Sequence, residues 1–257
     1  MVYGFFNLLD KVKRYYVFSR NEKMWLVASA FLLAFIAGFD DKSKVFSFSN
    51  WLGNFFLCFI AVAVAIFVHE SVRRIMGLEQ GFRVEFKPFM YGLLGGLFLA
   101  FMSYGKLIFL AYGGIQFHML EAHRLGYFRY RTSLFVLGKA SALACLANLF
   151  VAIIFKMMTF LPEAFVYKMV FINVLFAITN LLPIPPLDGV NLLYASRIIY
   201  LSMLAFVSVV GVLLLTNWLN IIWVLVIGFV FGTIVAYLVM SNQFGPPGVS
   251  DTWPRRN

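Results

Sequence analysis

Charge is what this 257-residue chain has least of: Asp, Glu, Lys and Arg together make up 12% of it, where soluble domains carry about 25%. So few charges cannot clothe a globular surface in water, which excludes a soluble enzyme. Cysteine is scarcer still, at two, and that excludes a secreted fold stapled by disulfides. Cys58 and Cys145 both lie in apolar runs, where a reduced, buried thiol is expected. Low hydrophobicity, which disorder requires, is lacking as well. What is present instead is a residue content 62% hydrophobic, with 31 Phe and a mean hydropathy of +0.88. That is more apolar material than one soluble core of this length can hide. The fold class that follows is an all-α polytopic membrane protein in a lipid bilayer.

Six stretches approach the ~20 residues that the bilayer's hydrocarbon core demands of a helix. They run Met24–Phe39, Trp51–Arg73, Ser133–Phe155, Tyr167–Leu187, Ile198–Leu215 and Trp218–Met240. Acidic residues are the scarcer sign, 11 against 21 Lys and Arg. In a soluble protein that excess would point to nucleic acid, but topology accounts for it here and no nucleic-acid partner is expected. With the N-terminus inside, sixteen cations fall on the inner face, among them Lys11, Lys13, Arg14, Arg20 and Lys23 before the first span. Only Lys42, Lys44, Lys156 and Lys168 fall outside, and the positive-inside rule then places both termini in the cytoplasm of a cell-membrane protein. Residues 1–23 read as a cytoplasmic segment with an interfacial helix, residues 24–240 as the membrane domain, and residues 241–257 as a Gly-Pro-rich cytoplasmic tail.

Between the second and third spans, Phe82–Phe117 carries Gly92, Gly95, Gly96, Gly105, Gly113, Gly114 and Lys106. Glycine costs about 1 kcal/mol per helical position relative to Ala, and a central lysine roughly 2.5 kcal/mol or more on insertion. A seventh span there would also move Arg124, Arg129 and Arg131 outside. The segment reads as short strands or re-entrant chain. Such backbone is tolerated at membrane depth only where protein or a wet cavity covers it, so it is expected to line a site.

Ionisable residues inside apolar spans are expensive and mark function by default. They are few: His69, Glu70, Arg73, Lys139 and Asp188. Lys139 lies near a span end and is expected to snorkel. The others fall in two clusters at span ends on the same side, His69-Glu70-Ser71-Val72-Arg73 and Asn180-Leu-Leu-Pro-Ile-Pro-Pro-Leu-Asp188-Gly189.

These two clusters, with Asn148 between them, resemble the site-2 protease family of intramembrane zinc metalloproteases, closest to its prokaryotic, especially archaeal, six-span members. The likeness runs from about Trp51 to Leu193 and takes in Gly81, Pro88 and Gly92. The resemblance implies His69 as a zinc ligand, Glu70 as the general base, Asp188 as a further ligand, and Asn148, Asn180, Pro186 and Gly189 in support. In that family His-Glu-x-x-His sets two imidazoles one helical turn apart on the metal, and the Glu activates its water. The second histidine belongs at position 73, where this chain has Arg73.

A guanidinium has no lone pair to offer and repels a metal cation. It can instead neutralise Glu70 and Asp188, so the expectation is a metal-free His69–Glu70–Arg73–Asp188 network with no cofactor. Ala144-Cys145 ahead of Asn148, and Gly113-Gly114 where the archaeal forms tend to have Pro-Gly, depart from the family pattern in the same direction. His118 and His123, five residues apart, lack metal-binding helical spacing and read as loop residues. The resemblance therefore implies a non-proteolytic pseudoprotease that binds transmembrane segments of other membrane proteins or serves in a larger membrane complex. The alternative is an active zinc endopeptidase with an unorthodox ligand set. A transporter is disfavoured, because the spans show no paired halves.

Overall fold

The structure is a computed structural model, and it describes residues 5–40, 46–119, 133–216 and 219–244. In chain order its elements are α1 (Phe5–Tyr15), α2 (Arg20–Ala37), α3 (Phe48–Glu79), β1 (Phe82–Pro88), α4 (Met90–Met102), β2 (Gly113–Met119), α5 (Leu134–Met157), α6 (Glu163–Asn180), α7 (Asp188–Ala195), α8 (Arg197–Thr216) and α9 (Ile221–Phe244). Five of the helices, α3, α5, α6, α8 and α9, are long and apolar enough to cross a membrane. Their outward faces are apolar: α9 alone exposes Trp223, Phe229, Phe231 and Tyr237. Side chains of this kind find a favourable solvent only in lipid.

Helix α3 is the axis of the molecule. At 32 residues it reaches about 48 Å, longer than the hydrocarbon core is thick. Its fully buried Cys58, Ala61, Val62 and Ala65 are small enough to let neighbouring backbones approach. There they meet Leu33 and Ile36 of α2 and Ile172 and Phe176 of α6 in one core cluster. A second cluster joins Leu149 of α5, Val174 and Leu181 at α6, and Val207 and Val210 of α8. Helix α6 is thus shared by both.

Helix α2 starts on a reciprocal cap: the Glu22 amide donates to Ser19 Oγ (3.2 Å) and the Ser19 amide to Glu22 Oε2 (2.8 Å). It then runs antiparallel to α3. Glu22 pairs with Arg74 at one end, and at the other Asn54 Nδ2 donates to the Gly38 carbonyl (3.1 Å). The interfacial helix expected near the N-terminus corresponds in position to α1, and Lys11 from it donates to the Leu78 carbonyl (3.2 Å) at the end of α3. Lys139, expected to snorkel, is partly exposed and pairs with Glu79 (3.0 Å).

The segment between α3 and α5, read as short strands or re-entrant chain, contains two strands paired antiparallel from Phe82↔Met119 to Pro88↔Gly113. It differs from expectation in holding a helix, α4, despite the glycines. At 13 residues α4 is too short to span a bilayer. Two of its three glycines, Gly92 and Gly96, sit on the face that meets the returning chain: a Cβ on Gly96 would stand 2.6 Å from the Phe109 carbonyl oxygen and 3.2 Å from Ile36. Lys106 lies beyond the helix, next to the tip turn where Tyr104 and Gly105 take positive φ. This tip packs near Phe39 and Asp40, while β1 hydrogen-bonds Glu22 at the other end of α2. The hairpin therefore enters and returns alongside the whole length of α2.

The fourth expected span also ends early. Helix α6 stops at Asn180, and residues 181–187, with their three prolines, cross without helix before Asp188 opens α7. Proline lacks the amide that a continuing helix needs.

Candidate functional site

Four elements converge on one buried polar cluster. Helix α3 supplies His69, Glu70 and Arg73, whose spacing of three and four residues puts them on one helical face. Asp188 arrives from α7 because the proline-rich crossing turns the chain back toward α3. Gly189 makes that possible: its Cα lies so close to the Leu181 and Leu182 carbonyls that a side chain there would overlap them. Pro186 is pressed against Gly114 of β2, where a Cβ would stand 2.7 Å from the proline's own Cβ. Tyr112 comes from the return limb of the hairpin, and Cys145 from α5.

Of the five ionisable residues singled out in the sequence, four, His69, Glu70, Arg73 and Asp188, are completely buried and linked in one chain of contacts. Arg73 is the centre. Its Nη2 lies 2.6 Å from Asp188 Oδ2 and its Nε donates to the same oxygen at 3.2 Å. Its Nη1 donates to Glu70 Oε1 at 2.7 Å and to the Tyr112 hydroxyl at 2.8 Å. Tyr112 in turn donates to Glu70 Oε1 at 2.6 Å, closing a triangle. His69 Nε2 lies 2.6 Å from Asp188 Oδ2. Since Nδ1 is buried without a partner among the described residues, the neutral ring with its proton on Nε2 fits, donating to Asp188. Aromatic rings dry the cluster: Phe176 packs edge-on to His69 (5.3 Å) and Phe86 stacks on Tyr112 (5.3 Å).

Tyr112 and Cys145 escaped the sequence reading. Tyr112 sits immediately before Gly113-Gly114 in the segment expected to line a site, so its location was signalled but its role was not. Cys145 was assigned a bland buried thiol. It is buried, yet its Sγ lies 3.9 Å from Asp188 Oδ2. Of the supporting residues, Asn148 is fully buried with neither side-chain atom partnered among the described residues. Asn180 donates to the Phe176 carbonyl of its own helix (2.8 Å). His118 is exposed on β2, 3.4 Å from Glu85, away from the cluster; His123 lies outside the described residues.

Arg73 competes for the donors that a metal ion would use. An ion bonded to His69 Nε2 and Asp188 Oδ2 would stand against a guanidinium nitrogen that already lies 2.6 Å from that oxygen. One potential three-donor group exists: ligand atoms of His69, Cys145 and Asp188 all lie within 4.8 Å of one another. Three protein donors of these types are what a catalytic zinc keeps, but this trio shares its carboxylate with the arginine.

At the next residue of α3, a second network braces the first. Arg74 Nη2 pairs with Glu22 Oε1 (2.5 Å) and its Nη1 donates to the Val84 carbonyl (2.9 Å), while the Phe86 amide also donates to Glu22 (2.7 Å). The Arg74 guanidinium lies 3.9 Å above the Phe18 ring. Burial opposes the charged form of Glu22, but the Phe86 and Ser19 amides and Arg74 outweigh it and hold the carboxyl below its ordinary range. This junction ties α2, α3 and β1 together, fixing the hairpin that delivers Tyr112.

Comparison of the chain with protein-family models, with curated proteins and with solved structures finds no match in any of the three.

Proposed function

We propose that this chain is a site-2-protease-like integral membrane protein in which an arginine-centred ion-pair network takes the place of the zinc site. It binds transmembrane segments of other membrane proteins, or serves in a larger membrane assembly, without cleaving them. The observation that carries this reading is the contact of the Arg73 guanidinium with both Glu70 and Asp188, the two acids that the family resemblance assigns to catalysis and to the metal. The carboxylate oxygen of Glu70 that faces this cluster, Oε1, is already occupied by a guanidinium and a phenol hydroxyl at 2.6–2.7 Å.

The finer topology belongs to the same proposal: α2 is a sixth span and both termini are cytoplasmic. The support is geometric. The contacts of α2 with α3 extend from Arg74 to Asn54, twenty residues, or about 30 Å of helix, which matches the bilayer's hydrocarbon core.

A second reading has one observation in its favour. Cys145 lies where it could join His69 and Asp188 around a metal if Arg73 withdrew, which would give the unorthodox ligand set of an active endopeptidase. Metal analysis of the purified protein separates the two. The expected outcome is no stoichiometric zinc in the native chain, zinc uptake by Arg73→His, and no cleavage of a transmembrane reporter by the native protein. Stoichiometric zinc in the native protein that disappears on Cys145→Ala would establish the second reading instead.

A further inference from the structure

Between α5, α8 and α9 the outer surface is hollowed. Two apolar hollows, of about 220 and 370 Å³, meet at Ile199 and form one lateral groove. Its rim is open: Phe135, Ile199 and Phe229 are 61%, 43% and 67% exposed. The two hydroxyls in its lining are taken up within their own helices, Ser202 Oγ donating to the Ile199 carbonyl (3.0 Å) and Thr233 Oγ1 to the Val230 carbonyl (2.8 Å). The groove therefore offers its occupant carbon alone, which suits a hydrocarbon tail and gives a polar group nothing to bond.

Its length fits one leaflet. Along α5 the lining extends from Phe135 to Leu146, about 16 Å, and along α8 from Ile199 to Phe206, about 10 Å. A transmembrane segment needs the full ~30 Å of hydrocarbon, whereas the tail of a lipid needs about half of it. Cations gather at the end where α5 and α8 begin. Lys139 lines the groove with its stem, and its side chain is 38% exposed with the ammonium at Glu79 (3.0 Å). Its neighbour Gly138 is pressed onto Ala195, where a Cβ would stand 2.4 Å from the alanine's own. Two residues further on, Arg197 opens α8, exposed and without a partner among the described residues. Glu79 thus neutralises one of two neighbouring cations and leaves the other unmatched. Tyr194, 69% exposed beside them, is a residue type that favours head-group level.

We propose that this groove is a binding site for an anionic diacyl phospholipid, its phosphate at Lys139 and Arg197 and an acyl chain running past Ile199 toward Phe206. The chain accounts for an apolar groove one leaflet deep, and the phosphate for a cation left without an acid at its mouth. Helix α7, whose first residue is Asp188, forms part of the wall through Leu192 and Ala195, so the lipid packs against the element that carries this acid. The site lies apart from the contacts of Arg73 and stands whether or not the chain cleaves other proteins.

The test uses the full chain in phosphatidylcholine nanodiscs carrying a trace of one of two photoreactive lipids with identical acyl chains, phosphatidylglycerol or phosphatidylcholine, the reactive group being in mid-chain. The expected result is labelling around Ala142 and Ile199 by the phosphatidylglycerol probe, roughly fivefold above the phosphatidylcholine probe, as one cation beside an anionic head group implies. Arg197→Gln removes that preference. Ala142→Phe, which fills the groove without touching a charge, brings labelling there down to the level of the remaining lipid-facing surface. Equal labelling by the two probes in the native chain, a preference that survives Arg197→Gln, or groove labelling that survives Ala142→Phe each overturns the proposal. Should Ala142→Phe fail to fold, the probe comparison and Arg197→Gln, which alters only an exposed side chain, decide it.

Discussion

At the scale of single residues, the chemistry of this protein turns on position 73. A buried guanidinium is stabilised only by what surrounds it, and here two carboxylates and a phenol supply four polar contacts at 2.6–3.2 Å. Replacing Arg73 with Met leaves Glu70 and Asp188 buried without a counter-charge. The expected cost is about 3–5 kcal/mol of stability, read as a fall in unfolding temperature in detergent. Tyr112→Phe, which removes one hydroxyl from the same triangle, is expected to cost about 1–2 kcal/mol. Adding Glu70→Gln to Arg73→Met is expected to restore part of the loss, because the pair is coupled. The identities of His69, Glu70, Arg73 and Asp188 as a group were legible in the sequence, since charges in apolar spans stand out. Tyr112 and Cys145 were not: a tyrosine or a cysteine among 48 aromatics and many apolar residues carries no signal until the fold places it.

At the scale of elements, the instructive case is the hairpin β1–α4–β2. Its strands were readable from glycine content and from the improbability of a lysine in mid-span. Its helix was not, because propensity counts each glycine as a cost. Here Gly96 is instead the condition for the return limb to lie against α4 and Ile36. The hairpin is anchored where Glu22 meets Arg74 and the Phe86 amide, and that anchor titrates. Because the folded-state pKa of Glu22 is depressed, its contribution is present above the unfolded value and is lost as pH falls through the folded one. Stability of the native protein is therefore expected to drop on acidification below the ordinary glutamate range. Glu22→Gln is expected to be less stable at neutral pH and to lose that segment of the pH dependence. An unfolding series between neutral and acid pH, native against variant, checks both.

At the scale of the whole molecule, five helices with apolar outward faces require a bilayer, and the status of α2 sets the topology. If α2 crosses as proposed, an even number of spans puts both ends of the chain on one side. Reporter fusions at the two ends are then expected to give the same compartment signal. Opposite signals would leave α2 as a membrane-embedded helix that does not cross. The sequence by itself determined the membrane class, the near-complete set of apolar helices, the break in spanning helix after α3, and the short roll of residues that stand out in apolar spans. Those follow from composition and spacing, which act locally. Only the tertiary structure decided that the Arg73 guanidinium sits between two acids and that a tyrosine and a cysteine from other elements join them. Such contacts join residues 39 to 119 positions apart, and no local pattern encodes where a chain returns on itself.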